Sequence, residues 1–251
     1  NWHKELLSLL GFAHDKDLDL QWFHETECPH VAQYVKEGFE LIYISMEKWF
    51  EELNQEVFLI FHHLDLYRQF FEILDKNKSI KIMDQTLFQW MRGAFITDLV
   101  VGISRLLDDK KDSRSFVRFL QELKERGDYL SRKKYIKKYA DFPGQHSVKK
   151  HMLELGNKHF DDLAGEGVDN YPVKIISQDI STLTQRPPCA DIITFRNQYV
   201  AHLSKIKFSA PTYEKLFEAF NTIEIVMKKY NLIMNAVHLD SCTPQPGDWQ
   251  Q

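Results

Sequence analysis

Residues 30–74 hold no proline and a single glycine, Gly38, across 45 positions. Because proline and glycine are the residues that most strongly interrupt helices, so long a run without them favours helix. Apolar residues recur in it every three or four positions, which is the period of one helix face. They include Phe39, Ile42, Met46, Trp49, Phe50, Leu53, Val57, Ile60, Phe61, Leu64, Tyr67 and Phe71. The stretch predicts two helices, or one long helix with a break near Asn54, and Pro29 suits its first turn.

The rest of the chain repeats this pattern between short breaks. It has only ten Gly and eight Pro residues, fewer than average usage of about 7% and 5% would give. No stretch alternates apolar and polar residues as a half-buried strand does. Ser209 is the expected N-cap of the last helix, with Pro211 in its first turn. Further helices are predicted over 80–107, 115–139, 145–163, 171–184 (helix or extended), 189–207 and 213–237. The fold class is therefore all-α, an antiparallel bundle of five to eight helices, with 80–107 near its centre.

Charge and cysteine content limit the classes of protein that the chain can belong to. A formal net charge of −4 excludes an overall basic coat for nucleic acid, though not a local basic patch. Three widely spaced cysteines, Cys28, Cys189 and Cys242, give neither a disulfide framework nor a CxxC zinc site. The most apolar window, 93–107, is too short and too polar to span a bilayer, and no signal peptide is expected at the first residues. A cytoplasmic protein is the simplest expectation.

The most informative cluster is the sequence FRNQYVAHLS, which begins at Phe195. On a helix that turns about 100° per residue, Ile192, Phe195 and Tyr199 form an apolar stripe. Arg196 then lies about 60° to one side of that stripe and His202 about 60° to the other. Both side chains are expected at the margin of the buried face, where they can reach solvent.

These side chains permit a specific reaction. Arg196 stays charged and can clamp a phosphate with paired hydrogen bonds, while the imidazole of His202 can exchange a proton near neutral pH. Asn197 can orient a phosphate or a water molecule. Together they suffice for metal-independent RNA cleavage, in which the 2′-hydroxyl attacks the adjacent phosphate. The spacing alone also fits a structural role, with the arginine in an ion pair and the histidine at a core edge.

Two motifs resemble the HEPN superfamily (higher eukaryotes and prokaryotes nucleotide-binding domains). FRNQYVAHLS is similar to its R-[polar]-x(3–5)-H motif, which lies on a late helix of an all-α bundle. Residues 66–109, which include the element Arg105-Leu106-Leu107-Asp108, are similar to the abortive-infection U-type branch. The gap between Arg196 and His202 is five residues, longer than the commonest form of the motif. The resemblance covers about residues 55–237.

The resemblance implies a domain plan and a function. It implies an N-terminal helical extension over 1–54, a HEPN-like core of four to five helices over 55–237 and a flexible tail over 238–251. It implies a ribonuclease acting as a toxin or antiviral abortive-infection effector, with no cofactor and no metal. RNA is the implied substrate, and a homodimer with a composite site and a cognate antitoxin are the implied partners, with no membrane partner.

The same resemblance assigns roles to individual residues. Arg196, Asn197 and His202 match the catalytic positions of the motif. Arg105 is a candidate second phosphate contact, and its alternative role is an ion pair with Asp108 or Asp109. Two other functions stay open: a non-catalytic helical module that binds nucleotide, RNA or protein through the same groove, and a structural scaffold.

Other residue clusters are weaker candidates. His24, Cys28 and His30 have metal-ligating side chains, but no second cluster completes a four-ligand zinc site. His62 and His63 are expected at a core edge. The lysine run at 132–138 either guides RNA phosphates or is a solvated helix end. The aromatic residues Trp49, Phe70, Phe71, Phe88 and Trp90 are expected to fill the core.

Overall fold

The computed structural model describes residues 29–77, 85–140, 146–200 and 210–243. Within these ranges the chain forms eight α-helices and one π-helical turn, with no strand beyond an isolated bridge between Ser131 and Asn170. The helices are α1 Pro29–Lys76, α2 Gln85–Leu106, α3 Phe116–Glu125, α4 Arg132–Ala140, α5 His146–Ala164, α6 Val173–Gln185, α7 Cys189–Phe195 and α8 Tyr213–Asn235. The predicted all-α bundle is confirmed.

Helix α1 begins at Pro29, as predicted, and passes Asn54 without a break. Contacts divide the chain into two compact units, Asn1–Lys48 and Trp49–Gln251, and α1 runs from the first into the second. Of the described buried apolar residues, all but Met46 belong to the second unit, as do Arg196 and Asn197 of the candidate site described below.

Helices α1 and α2 run antiparallel, because residue numbers on one helix fall as those of their partners on the other rise. At one end the Arg105 guanidinium pairs with Glu56 at 2.7 Å. Near the middle Gly102 leaves room for Ile60, whose Cγ1 would lie 3.2 Å from a Cβ at that position. Further along, the partners are His63 with Asp98, Tyr67 with Phe95, and Phe71 with Arg92.

Helix α8 is the central helix of the described bundle. It packs against α2, α4, α6 and α7, and its Phe220 ring meets Phe61 of α1 at 4.9 Å. Buried residues follow one another along it at helical spacing, as the periodicity of 213–237 predicted. Its N-cap is Thr212, whose hydroxyl accepts a hydrogen bond from the Lys215 N–H. The expectation that Ser209 caps it and that Pro211 lies in its first turn is therefore wrong.

Helix α2 is central over only half its length. Leu99, Val100 and Ile103 are fully buried, whereas Trp90 is 68% exposed and Leu87 is 49% exposed. The prediction that Trp90 fills the core is wrong, because this first half of α2 turns one side away from the bundle. Gly93 on the same half has no atom within 4 Å of where its Cβ would lie.

Residues 115–139 form two helices and not the single predicted one. Ser115 caps α3, and the chain leaves the helical region at Arg126. The reason is a tertiary pairing: the Arg132 N–H donates to the Asp169 carbonyl at 2.7 Å and the Tyr171 N–H donates to the Leu130 carbonyl at 2.9 Å. Backbone groups used in this pairing cannot also serve a continuous helix.

Candidate functional site

Helix α7 ends at Phe195, the first residue of the sequence FRNQYVAHLS, and turns its apolar residues inward. Ile192 is fully buried and Phe195 is 7% exposed, as the apolar stripe predicted. The helix packs against α6, α2 and α8, so three elements fix the direction in which its next residues point. Arg196 follows with helical dihedral angles, and its N–H donates to the carbonyls of Ile192 and Ile193.

Arg196 and Asn197 are brought together at the edge of this helix. Arg196 is half-buried, Asn197 is exposed, and the Arg196 Nη1 donates to the Asn197 Oδ1 at 2.9 Å. The Asn197 amide oxygen accepts from one nitrogen of the guanidinium. The other N–H groups of the guanidinium have no partner among the described residues. Such an arrangement leaves a fork of charged donors for a phosphate or a carboxylate.

The motif is π-helical from Arg196 to Val200. A π-helical turn bonds residue i to i+5 and so advances by a smaller angle per residue than an α-helix. The predicted position of His202, about 60° to one side of the apolar stripe, assumed an unbroken α-helix. The π-helical turn from Arg196 to Val200 breaks that assumption. His202 itself lies within 201–209, outside the described residues. Turns of this kind occur frequently at functional sites.

Gln198 lies inside the π-helical turn and is a residue that sequence reasoning missed. Its Oε1 is buried and has no hydrogen-bond partner among the described residues. A buried acceptor without a donor is costly, so this amide is a second polar group available to a ligand that carries a donor. The only sequence signal for it was its position two residues after Arg196.

Arg105 lies near the C-terminal end of α2, the helix against which α7 and the π-helical turn pack. Its guanidinium pairs with Glu56 of α1 at 2.7 Å, and its side chain is 68% exposed. The expected alternative partners were Asp108 and Asp109, so the ion-pair interpretation holds with a different carboxylate. The exposed side chain remains within reach of solvent phosphates.

A cavity of about 290 Å³ lies beside the motif, between α7 and the start of α8. Lys215 and Asp191 form an ion pair at its wall with 3.0 Å between Nζ and Oδ2, and both are about half exposed. The cavity adjoins the N-terminus of α8, where the backbone N–H and the Thr212 hydroxyl lower the pKa of Glu214. The sequence analysis did not predict this cavity, because its walls come from two separate segments of the chain, 191–195 and 210–215. The lining residues are Asp191, Thr194, Phe195, Ala210, Pro211, Thr212 and Lys215.

Cysteine chemistry is disfavoured at this site. Cys189 begins α7 and is fully buried, and burial raises the pKa of its thiol to about 12. Burial likewise raises the pKa of the Cys242 thiol to about 12. Both therefore stay protonated at neutral pH and are poor nucleophiles.

The described residues contain no group of three or more His, Cys, Asp or Glu side chains arranged to hold a metal ion. The weak metal candidate from the sequence includes His24 and Cys28, which lie outside those residues. The expected core-edge histidines are both half-buried, and His63 Nδ1 lies 2.7 Å from the Asp98 Oδ2. In the part of the chain that is described, no helix is long and apolar enough to cross a membrane.

Comparison with known proteins supplies the family. The family model HEPN_AbiU2, described as AbiU2, matches residues 44–250, which is most of the chain. The chain belongs to the AbiU2 family of the HEPN superfamily. No curated protein and no solved structure gives a significant match. The AbiU2 assignment confirms the sequence-based resemblance and places the chain in an abortive-infection-related HEPN family.

Proposed function

We propose that this AbiU2-family chain is a metal-independent endoribonuclease that acts as a toxin or abortive-infection effector. The observation that carries the proposal is the Arg196 guanidinium, half-buried and held by Asn197 at the start of the family motif. A positioned guanidinium at a margin open to solvent suits the charge of an RNA phosphate.

In this reaction the His202 imidazole removes the proton from the 2′-hydroxyl of the substrate RNA. The 2′-oxygen attacks the adjacent phosphorus, and the bond between phosphorus and the 5′-oxygen of the next nucleotide breaks. The leaving 5′-oxygen takes up a proton from the imidazolium form of His202. The products are a 2′,3′-cyclic phosphate end and a 5′-hydroxyl end, and DNA is spared because it lacks the 2′-hydroxyl.

Arg196 stabilises the negative charge that develops on the phosphate oxygens as the 2′-oxygen attacks. Asn197 fixes the orientation of the guanidinium through the 2.9 Å hydrogen bond, so that less order has to be gained at the moment of reaction. Arg105 on α2, whose exposed guanidinium also pairs with Glu56, is the second phosphate contact in this proposal. No step requires a metal ion.

The test is cleavage of a mixed RNA pool in the presence of a chelator by wild type, Arg196→Ala and His202→Ala. We expect cleavage by wild type, a loss of about 10²–10⁴-fold for His202→Ala, and a loss of about 10²–10³-fold for Arg196→Ala. Arg186→Ala, an exposed arginine upstream of the motif, is the matched control and should cleave as wild type does. Circular dichroism checks that each variant is folded.

The pH profile gives a second readout of the same proposal. An unperturbed imidazole titrates near pH 6.5, so a general base of this type is lost as the solution becomes more acidic. We expect wild-type cleavage to fall as the solution becomes more acidic. Cleavage that persists in His202→Ala would contradict the proposal. If wild type binds RNA without cleaving it and Arg196→Ala loses that binding, the non-catalytic binding module would be favoured.

A further inference from the structure

The hairpin formed by α4 and α5 carries a positive charge that contrasts with the rest of the chain. Residues 132–164 hold eight Lys and Arg residues against four Asp and Glu residues, in a chain whose net charge is −4. Seven of the eight are lysines, and all seven are exposed. We call the four on α4, which fall on one side of that helix, the lysine face: Lys133, Lys134, Lys137 and Lys138.

The hairpin holds the lysine face in a fixed position. Tyr135 and Tyr139 form the buried side of α4, which leaves its lysines on the opposite side. Arg132 anchors the start of α4 to the end of α5: its guanidinium donates to Asp161 at 2.5 Å and to the Val168 carbonyl at 2.8 Å, and lies 4.8 Å from the Phe160 ring centroid.

Helix stability does not explain the lysine face. Lys137 and Lys138 lie in the last turn of α4, where the helix dipole favours cations. Lys133 and Lys134, however, lie in its first turn, where cations are unfavourable and where no acidic residue is present. The pairs Lys133–Lys137 and Lys134–Lys138 also place like charges four residues apart, which destabilises a helix.

Helix α5 repeats the same conflict. Lys149 and Lys150 lie close to its N-terminus, and its first turn contains no acidic residue either. The Lys134 Nζ lies 5.2 Å from the Tyr129 ring centroid, a cation–π contact within the protein. Positions where local preference and sequence disagree are expected at functional surfaces. An anionic ligand would relieve the repulsion.

We propose that the lysine face binds the phosphate backbone of RNA, outside the Arg196 site. Lysines act as point charges that contact phosphates without reading bases, so the contact would be independent of sequence. A membrane surface fits less well, because amphipathic helices bind membranes through an apolar side, and the apolar side of α4 is buried in the protein. The proposal rests on the proposed function in one respect, which is that RNA is the substrate.

The binding test uses the full chain and a fluorescent single-stranded 2′-O-methyl RNA of about 20 nucleotides. This probe keeps the phosphates but lacks the 2′-hydroxyl nucleophile, so binding is measured without cleavage. Anisotropy at several salt concentrations compares wild type with the double variant Lys133→Gln, Lys137→Gln. The matched control is Lys110→Gln, Lys111→Gln, which removes the same charge from two exposed lysines between α2 and α3.

We expect the Lys133, Lys137 double variant to bind about tenfold more weakly near 0.1 M salt. The slope of log affinity against log salt should become shallower by about 1.4, since each contact to a single strand contributes about 0.7. The control should keep the wild-type affinity within about twofold. An unchanged slope in the Lys133, Lys137 variant, or an equal loss in the control, would overturn the proposal.

A charge reversal separates binding from folding. Lys133→Glu puts an acidic residue in the first turn of α4 and four residues before Lys137, both of which stabilise a helix. We therefore expect a higher Tm together with weaker RNA binding. A lower Tm would assign the lysine a structural role and overturn the proposal, as would lysine-dependent binding to phosphatidylserine vesicles without binding to the RNA probe.

The outcomes also separate this proposal from the ribonuclease proposal. If wild type cleaves RNA but the lysine variants bind the probe as wild type does, the lysine face fails and the ribonuclease stands. If no chain cleaves RNA but the binding results are as expected, the lysine face stands without the nuclease.

Discussion

Gly156 shows how a single missing side chain sets the distance between two helices. A Cβ at this position in α5 would lie 2.9 Å from the Cγ and Cδ2 atoms of the Tyr139 ring. The ring cannot move aside easily, because its hydroxyl is bonded both to the Tyr135 hydroxyl at 3.1 Å and to the His159 Nδ1 at 2.9 Å. Glycine is therefore required here by packing and not by backbone conformation.

We expect Gly156→Ala to destabilise the chain by about 1–3 kcal/mol, the usual cost of overpacking a buried site. Gly93→Ala is the matched control, since Gly93 is also helical but has open space around it. It should raise stability by about 0.5–1 kcal/mol through helix propensity alone. Urea unfolding measures both, and equal effects of the two substitutions would contradict the packing argument.

Asp179 and Tyr230 form a buried polar pair, and the neighbouring Tyr171 allows a direct comparison. The Tyr230 hydroxyl donates to Asp179 Oδ2 at 3.0 Å, and the Lys229 Nζ lies 2.6 Å from Oδ1. Burial raises the pKa of Tyr230, which stays a neutral donor. The neighbouring Tyr171 is buried as well, but its hydroxyl has no partner among the described residues.

We expect Tyr230→Phe to cost about 1.5–3 kcal/mol, because it removes a hydrogen bond to a buried carboxylate. Tyr171→Phe should be nearly neutral, since the hydroxyl that it removes makes no described bond. Thermal unfolding of the two variants checks the difference. A larger loss for Tyr171→Phe than for Tyr230→Phe would show that the pairing is assigned to the wrong tyrosine.

At the scale of elements, the α4–α5 hairpin depends on the charge of Asp161. The Arg132 guanidinium, with help from the Gly167 N–H, lowers the pKa of the Asp161 carboxyl below its ordinary value. A lowered pKa in the fold means that the ionised form is favoured there. Its stabilisation is fully present above the unfolded pKa of about 3.9 and is lost as the pH falls through the folded value.

Asp161→Asn keeps an amide oxygen for Arg132 but removes the negative charge. We therefore expect a lower Tm than wild type at pH 7 and a difference that shrinks as the pH falls through the lowered pKa of Asp161. Asp162→Asn, the adjacent carboxylate, is the control and should show a smaller difference at every pH. A Tm difference for Asp161→Asn that does not change with pH would exclude the ion pair as its cause.

At the scale of the whole molecule, the chain carries one copy of the motif that begins at Phe195, and under the ribonuclease proposal we expect two chains to build one composite site. Light scattering should then give a mass of about twice the 29.8 kDa of the chain. Mixing Arg196→Ala with His202→Ala should restore part of the RNA cleavage, because each variant supplies the group that the other lacks. A monomeric mass, or no recovery on mixing after subunit exchange, would contradict the composite site.

The fold class and the family of this chain follow from its amino-acid sequence alone. Periodic apolar residues and few helix breakers specified helices, because helix formation depends on neighbours three and four residues apart. Pro29, Ile192 and Phe195 took the places that local pattern assigned to them. The motif from Arg196 onward was equally visible, because it is a run of adjacent residues.

Features that depend on distant residues follow from tertiary contacts. The pairing of 130–132 with 169–171 split the helix predicted over 115–139, and packing left Trp90 exposed although its spacing is that of a core residue. Glu56 became the partner of Arg105 because α1 lies beside α2, and Asp191 met Lys215 because α7 meets the start of α8. The π-helical turn at Arg196 was likewise not predicted from the sequence, since a 100° helical period gives no sign of it. Contacts between residues far apart in the chain chose among the local alternatives that the sequence allowed.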